Sequence, residues 1–165
     1  MAEQEGGGAP AATRCGFIAL IGAPNVGKST LTNRLTGAKV SIVTRKVQTT
    51  RTTIRGIALV GASQLIFVDT PGIFAPKRRL DRAMVQRAWT GAADADLVAL
   101  LVDAASGLDR DTEAILPKLK PMADRALLVL NKIDLVKREQ LLTLADALNK
   151  ALAFRRTFMI SAKTG

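Results

Sequence analysis

The chain has 165 residues, 48% of them apolar and 23% charged, which suits one globular domain with a buried core. Lys and Arg number 24 against 14 Asp and Glu, a formal charge of +10. This favours a polyanionic partner such as RNA or an anionic membrane surface, with a solvated basic face as the plainer reading. There is no histidine and one cysteine, Cys15, which excludes histidine triads, histidine general bases, histidine metal sites and an intramolecular disulfide.

A lone cysteine fits a reducing, cytoplasmic setting; Cys15 is expected in the core. No apolar run approaches the ~20 residues of a membrane helix, so no transmembrane segment is expected. Met1 to Thr13 is rich in Gly and Ala, with Glu3 and Glu5. It lacks the basic start and apolar centre of a signal peptide. Residues 1–15 read as a disordered leader and 16–165 as the folded domain. The chain has no tyrosine and one tryptophan, Trp89, so no aromatic-interleaved RNA-binding pattern accompanies the charge.

The apolar run Phe17 to Ile21 reads as a buried strand. It enters Gly22-Ala23-Pro24-Asn25-Val26-Gly27-Lys28-Ser29, which fits G-x-x-x-x-G-K-[ST], the phosphate-binding loop. Leu31 to Leu35 follows as a helix, completing the strand–loop–helix context that the motif needs. Gly22 and Gly27 let the backbone curl so that N–H groups converge on phosphate oxygens. The start of the helix adds its positive dipole end. Lys28 would reach the β- and γ-phosphates, Ser29 would ligate Mg²⁺, and Thr30 belongs to the same first turn. A glycine turn with a chance lysine is the competing reading; eight matched positions in the right context disfavour it.

Gly37 is expected to stop the helix. Ala38 to Arg51 is a basic connector without strong periodicity and reads as a mobile loop. Thr53–Val60 and Gln64–Asp69, separated by Gly61-Ala62-Ser63, read as an antiparallel hairpin. Asp69-Thr70-Pro71-Gly72 ends the second strand. Asp69 would hold Mg²⁺ and Gly72 would offer its N–H to a γ-phosphate. Ile73 to Arg79 reads as a loop that orders on binding, and Leu80–Ala93 as a helix. Leu97–Asp103 is continuously apolar up to its last residue, as expected of a central parallel strand. A helix over Arg110–Leu119, a strand over Ala126–Leu130, a helix over Arg138–Ala153 and a strand over Thr157–Ile160 complete the alternation. The sheet is therefore expected to be largely parallel and doubly wound. Every candidate motif follows the carboxyl end of a strand, where open α/β sheets bind ligands.

Asn131-Lys132-Ile133-Asp134 sits at such an end, and Ser161-Ala162-Lys163 at the next. Guanine presents two donors on one edge, N1–H and N2–H, and the Asp134 carboxylate can accept from both. Adenine would leave that carboxylate unpaired, and an unpaired site group gives discrimination of up to ~10⁴-fold or more. Asn131 would brace the loops, Lys132 would lay its alkyl stem against the base, and the Ala162 N–H would meet the guanine O6. Taken alone Asn-Lys-x-Asp is a weak match, with a chance surface turn as the usual alternative; its company here gives it meaning.

Together the boxes at Gly22–Ser29, Thr49-Thr50, Asp69–Gly72, Asn131–Asp134 and Ser161–Lys163 resemble those of translation-factor-class GTPases. The stretch Thr44-Arg45-Lys46-Val47-Gln48-Thr49-Thr50-Arg51, with Val40-Ser41-Ile42 before it and Asp69-Thr70-Pro71-Gly72-Ile73 after it, resembles the bacterial Era GTPases. The resemblance runs from Phe17 to Gly165. It implies a P-loop GTPase fold with one antiparallel edge strand, GTP and GDP as ligands, and GTP hydrolysis tied to assembly of the small ribosomal subunit. It also implies a C-terminal KH domain for ribosomal RNA and a helix closing the GTPase fold. Neither is expected within these residues, so the domain is expected to be truncated, with exposed apolar sheet surface and poor solubility or a low melting point. A peripheral place at the inner membrane is a further expectation.

Within that resemblance the Mg²⁺ ligands are Ser29, Thr50 and Asp69, with Thr50 chosen over Thr49 because it stands directly before Arg51. The catalytic set is Lys28, Asn25, Thr50 and Gly72. Where many GTPases carry a water-orienting glutamine, this chain has Ile73, and Asn25 matches the asparagine that in relatives helps hold K⁺ against the phosphates. Turnover is expected to be slow without K⁺ or a partner. The rivals are a non-catalytic RNA or ribosome assembly module and an ATP-using P-loop enzyme.

Overall fold

A computed structural model of the chain describes residues 14–36, 53–70 and 79–165. Ten regular elements are described in chain order. They are β1 (Arg14–Ile21), α1 (Lys28–Leu35), β2 (Thr53–Val60), β3 (Ser63–Asp69), α2 (Arg79–Asp94), β4 (Leu97–Asp103), α3 (Arg110–Leu119), β5 (Ala126–Asn131), α4 (Arg138–Ala151) and β6 (Arg156–Met159). The expected leader up to Thr13, the Gly37 stop, the basic connector with Thr50, and Pro71, Gly72 and Ile73 lie outside the described residues.

The strands form one sheet in the order β2-β3-β1-β4-β5-β6. Only β2 runs antiparallel to its neighbour, at one edge; the other pairings are parallel. This is the expected α/β P-loop architecture with one antiparallel edge strand. The direction of strand addition reverses at β1, the switch point where a crevice opens at the carboxyl edge of such sheets.

Side-chain alternation sorts the core onto two faces. Ala19 and Ile21 of β1, Val98, Leu100 and Val102 of β4, and Leu128 and Leu130 of β5 pack with α2, α3 and α4. Leu20, Ala99, Leu101 and Val129 face the other way, with Leu31 of α1. β4 is buried from Val98 to Val102, which is why its sequence is apolar without alternation. Burying each such Leu contributes about 2 kcal/mol. The helices supply matching stripes: Leu141, Leu144 and Leu148 in α4, and Ile115, Leu116 and Leu119 in α3. α3 opens on Asp109, whose side chain accepts from the Thr112 N–H at 2.8 Å.

Several boundaries differ from the sequence reading. α1 begins at Lys28 rather than Leu31, because the Leu31 N–H already bonds the Gly27 carbonyl at 2.9 Å. α4 stops at Ala151, and Leu152 is extended (φ −149°, ψ 127°). β1 begins at Arg14, inside the expected leader, because β3 is long enough to pair Arg14 with Ser63 and Cys15 with Gln64. Cys15 is exposed rather than in the core, and Phe17, expected in a buried strand, is exposed as well; burial in β1 begins at Ala19. Phe158 on the edge strand β6 is 45% exposed.

Candidate nucleotide site

The phosphate loop leaves β1 at Ile21, which is fully buried. Its path requires positive φ at Gly22 (150°), Asn25 (63°) and Gly27 (103°). A Cβ on Gly22 would collide with the Leu101 carbonyl of β4, and one on Gly27 with the Asn131 side-chain amide. Both glycines are therefore demanded by close approach as well as by φ. Ala23 and Val26 are buried, whereas Pro24 and Asn25 are exposed at the loop tip. Lys28 folds back so that its Nζ donates to the carbonyls of Gly22 (3.0 Å) and Ala23 (2.8 Å). This holds a cation across the loop beside the start of α1, where the helix dipole adds to it. Ser29 and Thr30 are exposed in that first turn.

Asp69 ends β3, which pairs with β1 through Ala19 and Val68, so Asp69 and the phosphate loop share one sheet edge. Thr70 is buried and its Oγ1 donates to the Leu20 carbonyl. That bond pins the start of the Asp-Thr-Pro-Gly box to β1.

On the other side of β1, Asn131 closes β5 and is 2% exposed. Its Nδ2 donates to the Val26 carbonyl at 2.8 Å, and its Oδ1 accepts from the Ala162 N–H at 2.9 Å. One side chain thus welds the phosphate loop, the end of β5 and the segment after β6. The bracing role expected of Asn131 has a defined geometry. The Ala162 N–H, the donor expected for the guanine O6, is held against Asn131 here.

Lys132 adopts left-handed φ (63°). Its Nζ lies 2.5 Å from Asp103 Oδ2 at the end of β4. Asp134 is exposed in the turn Ile133–Leu135. That turn is anchored by the Ile133 N–H to the Ile160 carbonyl (3.3 Å) and the Leu135 N–H to the Lys132 carbonyl (3.0 Å). Ser161 is buried, and its Oγ accepts from the Thr164 N–H at 3.2 Å. Lys163 is exposed, but its carbonyl and that of Thr164 accept from the Arg34 guanidinium at 3.0 and 3.1 Å. The last turn of α1 is thereby tied to the loop after β6.

The expected site residues that fall in the described regions therefore converge on one edge. The sequence reading missed Asp103 and Arg34. A carboxylate closing an apolar strand was a usable signal for Asp103. Arg34 had none, because a basic residue in a last helical turn is ordinary. Among the described residues no cluster of three His, Cys, Asp or Glu could hold a metal by itself, and no helix is long and apolar enough to cross a membrane.

Known proteins resemble this chain in sequence and fold. Residues 17–132 match a family model described as 50S ribosome-binding GTPase. GTPase Era of Bradyrhizobium sp. (strain ORS 278) is 65% identical over 164 residues, covering 99% of this chain and 53% of that protein. The chain spans about half the length of the curated relatives it matches. A crystal structure of Era in complex with MgGDPNP and nucleotides 1506-1542 of 16S ribosomal RNA is 37% identical with a TM-score of 0.79. The match covers 93% of this chain and 53% of that one. The FeoB G-domain of Methanococcus jannaschii is 33% identical with a TM-score of 0.64, covering 92% and 89%. With two thirds of its length inside the family model and these relatives beside it, the chain belongs to the family of 50S ribosome-binding GTPases.

Proposed function

We propose that this chain is a GTP-binding and GTP-hydrolysing switch of the Era type. The observation that carries the reading is the double hydrogen bond of Asn131, to the Val26 carbonyl and from the Ala162 N–H. It makes one rigid unit of a phosphate loop and a base-reading loop. Asp134 would accept from guanine N1–H and N2–H, and the Lys132 stem would flank the ring. The Gly22–Lys28 backbone and the Lys28 ammonium would hold the phosphates.

Ser29 at the start of α1 and Asp69 at the end of the adjacent β3 share the carboxyl edge, which fits a divalent ion between them, with Thr50 as a third ligand. The Era structure with MgGDPNP supports Mg²⁺ as that ion. Bound there, it would neutralise charge on the β- and γ-phosphate oxygens. Water attacks the γ-phosphorus in line and the bond to the bridging oxygen breaks, giving GDP and phosphate. Gly72 would donate its N–H to the γ-phosphate.

Ile73 cannot orient the water, so charge must be supplied otherwise. The match of Asn25, exposed at the loop tip, to the asparagine of relatives supports its use for K⁺ beside the phosphates. Hydrolysis should then run faster in K⁺ than in Na⁺ on the order of tenfold, less than the ~10²-fold of a preorganised donor. Asn25→Asp should shrink the ratio, and equal rates in the two salts would remove the role.

Ribosomal RNA of the small subunit is the partner that the Era complex and the +10 charge support; an anionic membrane surface would draw on the same charge. Ile73 also favours a second reading, a module that binds nucleotide without turning it over. Single-turnover hydrolysis separates the two.

The guanine reading is tested by displacing a fluorescent GDP analogue with GDP, ATP and XDP. GDP should compete and ATP should not, and Asp134→Asn should shift preference toward XDP by about 10²-fold or more. Equal competition by ATP would defeat the reading.

A further inference from the structure

The Lys132–Asp103 contact goes beyond the boxes that define the family. Lysine carries about 2 kcal/mol of rotamer entropy in its four-carbon stem, so a lysine asked to wall a base slot must be held at its far end. Here the holder is built in advance. Asp103 Oδ1 accepts from the Ala105 N–H at 3.0 Å. The Asp103 carbonyl accepts from the N–H groups of Ser106 (3.1 Å) and Gly107 (3.0 Å). A tight turn therefore aims the carboxylate before any lysine arrives, leaving Oδ2 for the Lys132 Nζ at 2.5 Å.

The contact is not a rim bridge of the kind that contributes little. The Lys132 and Asp103 side chains are 32% and 15% exposed. Asp103 also pairs across the β4–β5 ladder with Asn131, and the Ala104 N–H bonds the Asn131 carbonyl at 2.9 Å. Asp103, Asn131 and Lys132 thus lie in one layer. The Lys132 stem is tethered at both ends: by a backbone locked at positive φ beside the buried Asn131, and by an ammonium locked on Asp103.

We infer that Asp103 is a positioning residue for nucleotide retention, fixing the Lys132 stem as a rigid wall of the base slot. The inference rests on the guanine-nucleotide reading above. It makes a separate claim: Asp103 governs how long the nucleotide stays, and Asp134 governs which base is chosen.

The test is a double-mutant cycle on the dissociation rate of a fluorescent GDP analogue, measured by stopped flow on the 165-residue chain. Asp103→Asn keeps an oxygen for the Ala105 N–H and removes the charge; Lys132→Met keeps the stem and removes the ammonium. Each should raise the dissociation rate about tenfold, as loss of a charge-assisted hydrogen bond allows. The double variant should be no faster than either single one. Association rate and the preference for GDP over XDP should stay as in the wild type. A merely structural Asp103 would lower the melting temperature and leave the rate constant untouched, and that result overturns the inference, as do rates that multiply in the double variant. Should Asp103→Asn fail to fold, Lys132→Met alone decides: an unchanged rate refutes a role for the tether. A wild type that does not bind GDP defeats the guanine reading itself and this inference with it.

Discussion

The two ends of the candidate site are made in different ways. The phosphate end is one contiguous loop, and its shape follows from backbone rules at Gly22, Asn25 and Gly27, all at positive φ. The base end is assembled from three separate segments through the Asn131 side chain, which reaches 105 residues back to Val26 and 31 forward to Ala162. The phosphate loop is written in one stretch, yet it is seated against Leu101 and Asn131 from elsewhere in the chain. The base end, assembled by a single buried amide, depends on the register of the whole β4–β5–β6 half.

Asn131→Ala should break the comparison hardest. It leaves the Val26 carbonyl and the Ala162 N–H buried without a partner, at about 1–3 kcal/mol each. A loss of about 2–6 kcal/mol in unfolding free energy by urea titration is expected, together with loss of nucleotide binding at both ends. An intact melting curve with only base selectivity changed would mean that the two ends are independent.

Gly27→Ala acts where the two ends touch. The left-handed backbone there penalises alanine by about 1–3 kcal/mol, and the new Cβ would collide with the Asn131 amide. Phosphate binding should fail, and base selectivity should weaken with it. A variant that loses affinity for inorganic pyrophosphate yet keeps full GDP-over-ATP preference would confine the damage to the phosphate end.

Arg34→Ala should do least. The guanidinium is exposed and makes two hydrogen bonds to the Lys163 and Thr164 carbonyls, worth roughly 0.5–1 kcal/mol in water. A GDP dissociation rate raised about threefold, with base choice unchanged, is expected. A larger effect would make α1 a structural arm of the base end as well as of the phosphate end.

Much of this was legible before the fold was seen, for identifiable reasons. β4 was found to the residue because an apolar run bounded by turn signals is what a strand buried on both faces requires. The phosphate loop was found because its glycines and lysine are consecutive and their strand and helix flank them. Cys15 was misplaced because burial at the end of a strand depends on how far the covering helices extend. The contact of Ala162 with Asn131 was not legible, because nothing in either segment shows how closely the two loops approach.

Composition, period and contiguous motif by themselves determined the alternation of strands and helices, the carboxyl-edge location of the site, and the phosphate loop with its glycines. Each rests on forces acting within a few residues: side-chain periodicity, allowed φ, and the dipole at a helix start. Only the tertiary structure decided that Asp103 meets Lys132, that Arg34 clasps the loop after β6, and that Asn131 joins all three segments. Those contacts depend on which strand lies beside which and in what register, and that is set by the packing of two core faces rather than by any short stretch of chain.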